Sequence, residues 1–133
     1  MEFQLEVVPV PVTDVDRAKS FYSEQAGFVV DLDTSFGDGT RLVQLTPPGS
    51  ACSIHLNPAL EVPPGVLEGL MLMVSDIEAA RAELVGRGLD ASPVQHLDDG
   101  VWVNGRGGDW NSFVFFSDPD GNGWALQERP ARR

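Results

Sequence analysis

Apolar and polar residues alternate along this chain in two rhythms, one of period two and one near 3.6, and the rhythm changes at turn residues. Leu5 to Val12 is rich in valine and reads as a strand. Pro9 and Pro11 each lack a backbone donor, which argues for an edge position or a locally broken ladder. Thr13-Asp14-Val15-Asp16 opens a helix, with Thr13 or Asp14 as cap and Asp16 in the positive first turn. Ala18, Phe21, Tyr22 and Gln25 follow one helical face, and Gly27 ends it. Phe28 to Asp33, Arg41 to Thr46 and Ala51 to Leu56 read as three strands, parted by turns at Phe36 to Thr40 and Pro47 to Ser50. Residues 58–68, with Pro58, Pro63, Pro64 and Gly65, read as a linker.

The second half begins with a strand from Gly69 to Val74. Ser75-Asp76-Ile77-Glu78 has the form of a capping box, with Ser75 bonding the N–H of Glu78. Ile77, Ala80, Leu84 and Val85 make the buried helical stripe, and Gly86 and Gly88 mark its end. A short strand is predicted from Leu89 to Val94 and another near Val101 to Val103, followed by a mobile glycine-rich loop. Ser112 to Glu128 predicts strand, tight turn and strand. In the turn Asp118-Pro119-Asp120-Gly121, Pro119 presets φ, the Asp118 carboxylate accepts backbone N–H groups, and Gly121 takes φ > 0.

The halves match. Val12-Thr-Asp-Val-Asp-Arg-Ala-Lys19 corresponds without a gap to Val74-Ser-Asp-Ile-Glu-Ala-Ala-Arg81, an offset of 62 residues. Each half reads as strand, helix and three strands. The predicted class is α+β: two βαβββ modules, 1–57 and 69–133, forming one domain. Set side by side, two such modules curl into a cupped mixed sheet whose open face holds a ligand.

Composition narrows the functions. At 133 residues and 42% hydrophobic, the chain has enough apolar surface for a core. No apolar run approaches the roughly 18 residues of a membrane span, and no signal peptide is visible. Cys52 is the lone cysteine, which rules out an internal disulfide and fits a reducing, cytoplasmic setting. A net charge of −11 repels nucleic acid, and Arg132 and Arg133 are too few to offset it.

Val-x-Asp-[Val/Ile]-x-x-Ala-[Lys/Arg] entering each helix, together with Asp-Pro-Asp-Gly-Asn before the last strand, resembles the vicinal oxygen chelate superfamily. That family includes glyoxalase I, extradiol dioxygenases and bleomycin and fosfomycin resistance proteins. The resemblance implies the cupped fold and a homodimer. In metal-using members the ligands sit on the first and last strand of each module. The matching positions here are Val7, His55, Gly69 and Ala125, and only His55 can bind a metal. A catalytic divalent site needs about three protein ligands, so no metal or other cofactor is expected. Glu6, Glu68 and Glu128 have the wrong strand parity to rescue it.

Strand parity puts Val7, Ser53, His55, Gly69, Met71, Met73, Ala125 and Gln127 on the cup face. The expected ligand-binding set is His55, Ser53, Met71, Met73, Trp102, Trp110 and Gln127. His55 is either a hydrogen-bonded wall residue or a ligand contact and general base. Met71 and Met73 either pack or adapt to an irregular ligand. Trp102 and Trp110 either stack on a planar ligand, with Arg106 near the mouth, or close a dimer. Three readings remain open. The first is a metal-free binder of a small apolar or planar molecule. The second is a lyase, dioxygenase or epimerase that depends on a metal or on His55. The third is a module whose cup is filled by its own side chains.

Overall fold

The strands expected from alternation pair into two mixed β-sheets built on βαβββ-like modules, and the chain is α+β. The structure is a computed structural model and describes residues 1–58 and 63–131. Part of the expected linker, 59–62, lies outside the described residues. Two compact units are present. The first comprises Met1–Leu67 with the turn Asp118–Asn122, and the second comprises Glu68–Ser117 with the chain from Gly123 onward.

In the first unit the order is β1 (Val7–Pro11), α1 (Val15–Ser20), β2 (Val29–Ser35), β3 (Arg41–Thr46) and β4 (Ser53–Asn57). The sheet runs β1-β4-β3-β2, with β1 parallel to β4 and the other pairs antiparallel. The two prolines of β1 sit on an edge strand, where a missing donor is tolerated. The cap of α1 is Asp14, whose carboxylate accepts the Arg17 N–H at 3.1 Å. From Phe21–Gln25 the helix widens into a π-helical stretch. There the Ser23 hydroxyl donates to the Lys19 carbonyl at 2.7 Å, and the Ala26 N–H reaches the Phe21 carbonyl at 3.0 Å. Ala18, Tyr22, Val43, Leu45 and Leu56 form the buried centre of this unit. Full burial of a Val or Leu contributes about 1.5–3 kcal/mol.

The second unit contains β5 (Leu70–Val74), α2 (Ile77–Gly86), β6 (Gln95–Asp98), β7 (Val101–Asn104), β8 (Phe113–Ser117) and β9 (Gly123–Glu128), in sheet order β5-β9-β8-β6-β7. It therefore has one strand more than the repeat predicts. Two local expectations are corrected. The cap of α2 is Asp76, not Ser75, and it accepts the Ala79 N–H at 3.1 Å. It stands 62 residues after Asp14 and makes the same bond. A carboxylate at that position meets the positive helix end directly. The span from Leu89 to Val94 is not a strand. Pro93 has no N–H to pair, and the Ser92 hydroxyl takes the Phe115 N–H at 2.8 Å in place of a ladder carbonyl. Among the described residues no helix is long and apolar enough to cross a membrane.

The turn Asp118–Asn122 belongs to the first unit, and its two end residues, Asp118 and Asn122, are buried. The Asp118 carboxylate accepts four donors: the Tyr22 hydroxyl at 2.6 Å, the Asn122 side-chain amide at 2.8 Å, and the N–H groups of Asn122 at 2.9 Å and Asp120 at 3.0 Å. Asn122, fully buried, also donates to the Pro11 carbonyl at 2.8 Å and accepts the Gly65 N–H at 3.1 Å. A side chain at Gly65 would place its Cβ 2.5 Å from the Asp120 carbonyl, so the backbones meet there without one. Asp120 takes the Thr13 hydroxyl at 2.6 Å and pairs with Arg17 at 3.2 Å.

Asp33 lies between Arg41 and Lys19, at 2.9 and 2.7 Å. Hydrogen bonds from Arg41 first and Lys19 second hold its carboxyl well below the usual carboxylate range. The hydrogen bonds that Arg41 donates to Asp33 and then to Asp16 raise its own pKa in turn.

Two outcomes are expected. Tyr22→Phe removes one donor to a buried carboxylate and should cost about 1.5–3 kcal/mol in urea unfolding; Asp118→Ala should cost more, because it also strands the Asn122 amide. For Asp33 the folded pKa is depressed. Its stabilisation is therefore full above about pH 4 and is lost as pH falls below that value. Asp33→Asn should lower the melting temperature at neutral pH and reduce the further drop on acidification, an effect that salt weakens.

Candidate functional site

The register of the second sheet builds one continuous apolar face. Met71, Ala125 and Phe115 stand in one row across β5, β9 and β8, and Met73, Gln127 and Phe113 stand in the next. Gln95 of β6 extends the second row. Neighbouring positions along each strand point the other way. Val114, Phe116, Trp124 and Leu126 are buried there, and α2 packs on β8 and β9. An open hollow of about 1200 Å³ is walled by Met71, Ala125, Phe113, Phe115, Trp102 and Trp110. The indole of Trp102 stands edge-on to Phe113 and Phe115, with ring centres 5.5 and 5.1 Å away and planes near perpendicular. The two phenylalanine rings are themselves nearly parallel, 9° apart in plane. These geometries suit the aromatic quadrupole and leave flat faces for a guest.

Trp110 is brought to this wall by the loop between β7 and β8. Its backbone takes φ of 60°, a conformation uncommon for a bulky residue. Several bonds hold it there. The Gln127 amide donates to the Trp110 carbonyl at 2.9 Å, and the Asn111 side chain pairs with both the N–H and the carbonyl of Leu97 at 2.9 Å each. The His96 Nδ1 meets the Gly105 carbonyl at 2.8 Å. At Gly107 an added Cβ would lie 2.4 Å from the Asn111 carbonyl, so the loop closes only around a glycine.

Arg106 does not stand in the wall. It pairs with Glu128, which raises its pKa. The other Glu128 oxygen accepts the Ile77 N–H at 2.9 Å, at the positive end of α2. Glu128 thus serves the helix rather than the hollow. Glu68 and Asp90 are the charged members of the wall.

Ser53 and His55 lie in the first unit and are not among the residues that wall this hollow. The His55 Nε2 meets the Gln44 Oε1 at 2.8 Å, directly across the β3–β4 ladder. The Gln44 amide nitrogen faces Asp31 and Ser53, so its oxygen takes the Nε2 proton, which in the neutral ring leaves Nδ1 as the acceptor. The Ser53 hydroxyl shares a 2.6 Å bond with Thr46, which donates to Asp31. Gln44, Thr46 and Asp31 escaped the sequence reading. The alternation of β3 against β4 was the available signal for Gln44 and Thr46; Asp31 needed the bulge between Val30 and Leu32. Phe113 and Phe115 were legible only as strand residues until their partners Gln127 and Ala125 were known.

The donors do not fit a divalent metal. In the first unit Val7 offers no ligand atom, and the His55 Nε2 is taken by Gln44. In the second, Gly69 and Ala125 offer none. Among the described residues no three His, Cys, Asp or Glu side chains gather as a metal cluster requires.

Residues 4–126 match the family model of the glyoxalase/bleomycin resistance protein/dioxygenase superfamily. TnmS3, an antibiotic-binding protein from Streptomyces sp. CB03234, is 32% identical, covers 97% of this chain and 98% of its own, and superposes with a TM-score of 0.78. A glyoxalase/bleomycin resistance protein from the same organism is 33% identical over 93% of this chain and 99% of its own, with a TM-score of 0.74. Bacillus subtilis (strain 168) YetH is 25% identical over 94% of this chain and 98% of its own length.

Adding Mn²⁺, Zn²⁺ or a chelator to the purified protein is expected to leave its melting temperature unchanged, since a ligand that binds the folded state raises it. Differential scanning fluorimetry reads this; a saturable rise with one ion would show a site built from other donors.

Proposed function

The chain belongs to the glyoxalase/bleomycin resistance protein/dioxygenase superfamily, and from that premise we propose that it binds a small, largely apolar or planar organic molecule in the hollow of its second unit. The observation that carries this reading is the wall itself: Met71, Trp102, Trp110, Phe113 and Phe115 around about 1200 Å³ of open space. Ligand sites are concave and mostly apolar, with a few polar groups that orient the guest. Gln127 acts here as a positioning residue, because it holds the backbone of Trp110. Met71 supplies an adaptable part of the wall, whereas Met73, on the next row, is not among the residues that line the hollow. TnmS3, at 32% identity, is an antibiotic-binding protein, which favours a ligand of antibiotic type here. The family scaffold serves many activities, and it is the hollow, not the fold, that points to binding. Pairing into a homodimer is part of this proposal, and light scattering tests it.

A second reading keeps one specific observation. Gln44 orients the His55 ring and leaves Nδ1 as an acceptor, which is the arrangement a general base needs. In that case His55 would act as the catalytic residue of a lyase or epimerase.

Titration with acridine, a neutral planar probe, followed by quenching of tryptophan emission, tests the first reading. Trp110→Ala and Trp102→Ala are each expected to weaken binding by about tenfold. His55→Ala should leave it within about twofold. Binding that ignores both tryptophans and collapses on loss of His55 would reverse the order of the two readings.

A further inference from the structure

We infer that the hollow of the second unit selects planar organic cations, and that Glu68 and Asp90 set this preference. The inference rests on the binding role proposed above and adds the charge of the ligand. Of the described residues in the wall, only Glu68 and Asp90 are ionisable; no lysine, arginine or histidine is among them. Neither carboxylate has a hydrogen-bond or ion-pair partner among the described residues. Arg81, whose guanidinium lies beside Ala91 and Ser92, donates to the Ser92 carbonyl at 2.7 Å, and Arg106 is held by Glu128. The wall therefore carries two exposed carboxylates beside apolar surface.

Each ligand class meets that wall differently. A cation gains Coulomb attraction to the two exposed carboxylates, and it also gains from the indole faces of Trp102 and Trp110. A neutral ring gains only from burial. An anion is repelled locally, and again by a chain of net charge −11. Planarity follows from the aromatic wall, where Trp102, Phe113 and Phe115 pack on one another and Trp110 stands in the same wall, so that a flat ring finds aromatic surface to lie on.

Three acridines of matched shape test this at neutral pH and low salt: 9-aminoacridine as the cation, acridine as the neutral ring, and acridine-9-carboxylate as the anion. The expected order of affinity is cation, neutral, anion, with the cation's advantage shrinking as salt rises. Glu68→Gln and Asp90→Asn should each weaken 9-aminoacridine by about two- to fivefold while leaving acridine unchanged. Glu83→Gln, on α2 and outside the wall, should change neither. Equal affinity for all three probes would overturn the charge preference and leave the hollow as a binding site. So would a cation preference that falls equally in Glu83→Gln, because that is the mark of net charge alone. Failure of every probe to bind would overturn both proposals.

Discussion

Removing a carboxylate from water costs several kcal/mol unless its lone pairs are occupied, and Asp118 meets that constraint with four donors. Three come from its own turn and cost no long loop closure: two backbone N–H groups and the Asn122 side-chain amide, which is itself buried and also bonded to Pro11 and Gly65. The fourth, the Tyr22 hydroxyl, arrives from the helix of the first unit. The turn is consequently rigid in a way that a solvated hairpin loop is not. It also decides where β8 stops and β9 starts, because the Asp118 N–H bonds the Asn122 carbonyl and Ser117 faces Gly123. A shift of one residue would turn Phe113 and Phe115 away from Met71 and Ala125.

The two modules share a backbone plan and diverge in chemistry. Both helices are capped by an aspartate at equivalent positions, and both first strands run parallel to the last strand of their module. Their ladder rows then carry different side chains. In the first unit Gln44, Ser53, Thr46 and His55 bond to one another and to Asp31. In the second the corresponding rows are mostly methionine, alanine and phenylalanine, with Gln127 and Gln95 in one of them. Duplication conserves what folding needs: caps, turns and the helix-facing alternation. The remaining face is released from that demand, and it differs most between the modules.

Glu128 illustrates how one side chain answers to several constraints. Its strand parity removes it from the apolar row, and its length lets it reach back to the first N–H of α2 and forward to Arg106. An acidic residue near the end of the last strand thus stabilises a helix start and fixes a loop arginine. Read as a lone carboxylate it resembles a displaced ligand; read with its partners it is a cap.

Local rules made a great deal visible in advance. Proline in β1, a cap at Thr13 or Asp14, the turn residues around Gly121 and the alternation of Arg41 to Thr46 each act over a few residues. The module repeat followed from them, but the cap of α2 did not, because Ser75 and Asp76 are both capping residues and the fold selects Asp76. What remained hidden depended on pairing between distant segments. Ser92 displaced a strand because its hydroxyl met Phe115, 23 residues away. Gln44 found His55, and Gln127 found Trp110, through ladders and loops that no local pattern specifies. Backbone conformation is set by neighbours in sequence, whereas the lining of a hollow is set by which strands lie side by side. The residues that could bind were therefore readable one at a time, and only tertiary structure decided which of them share a wall.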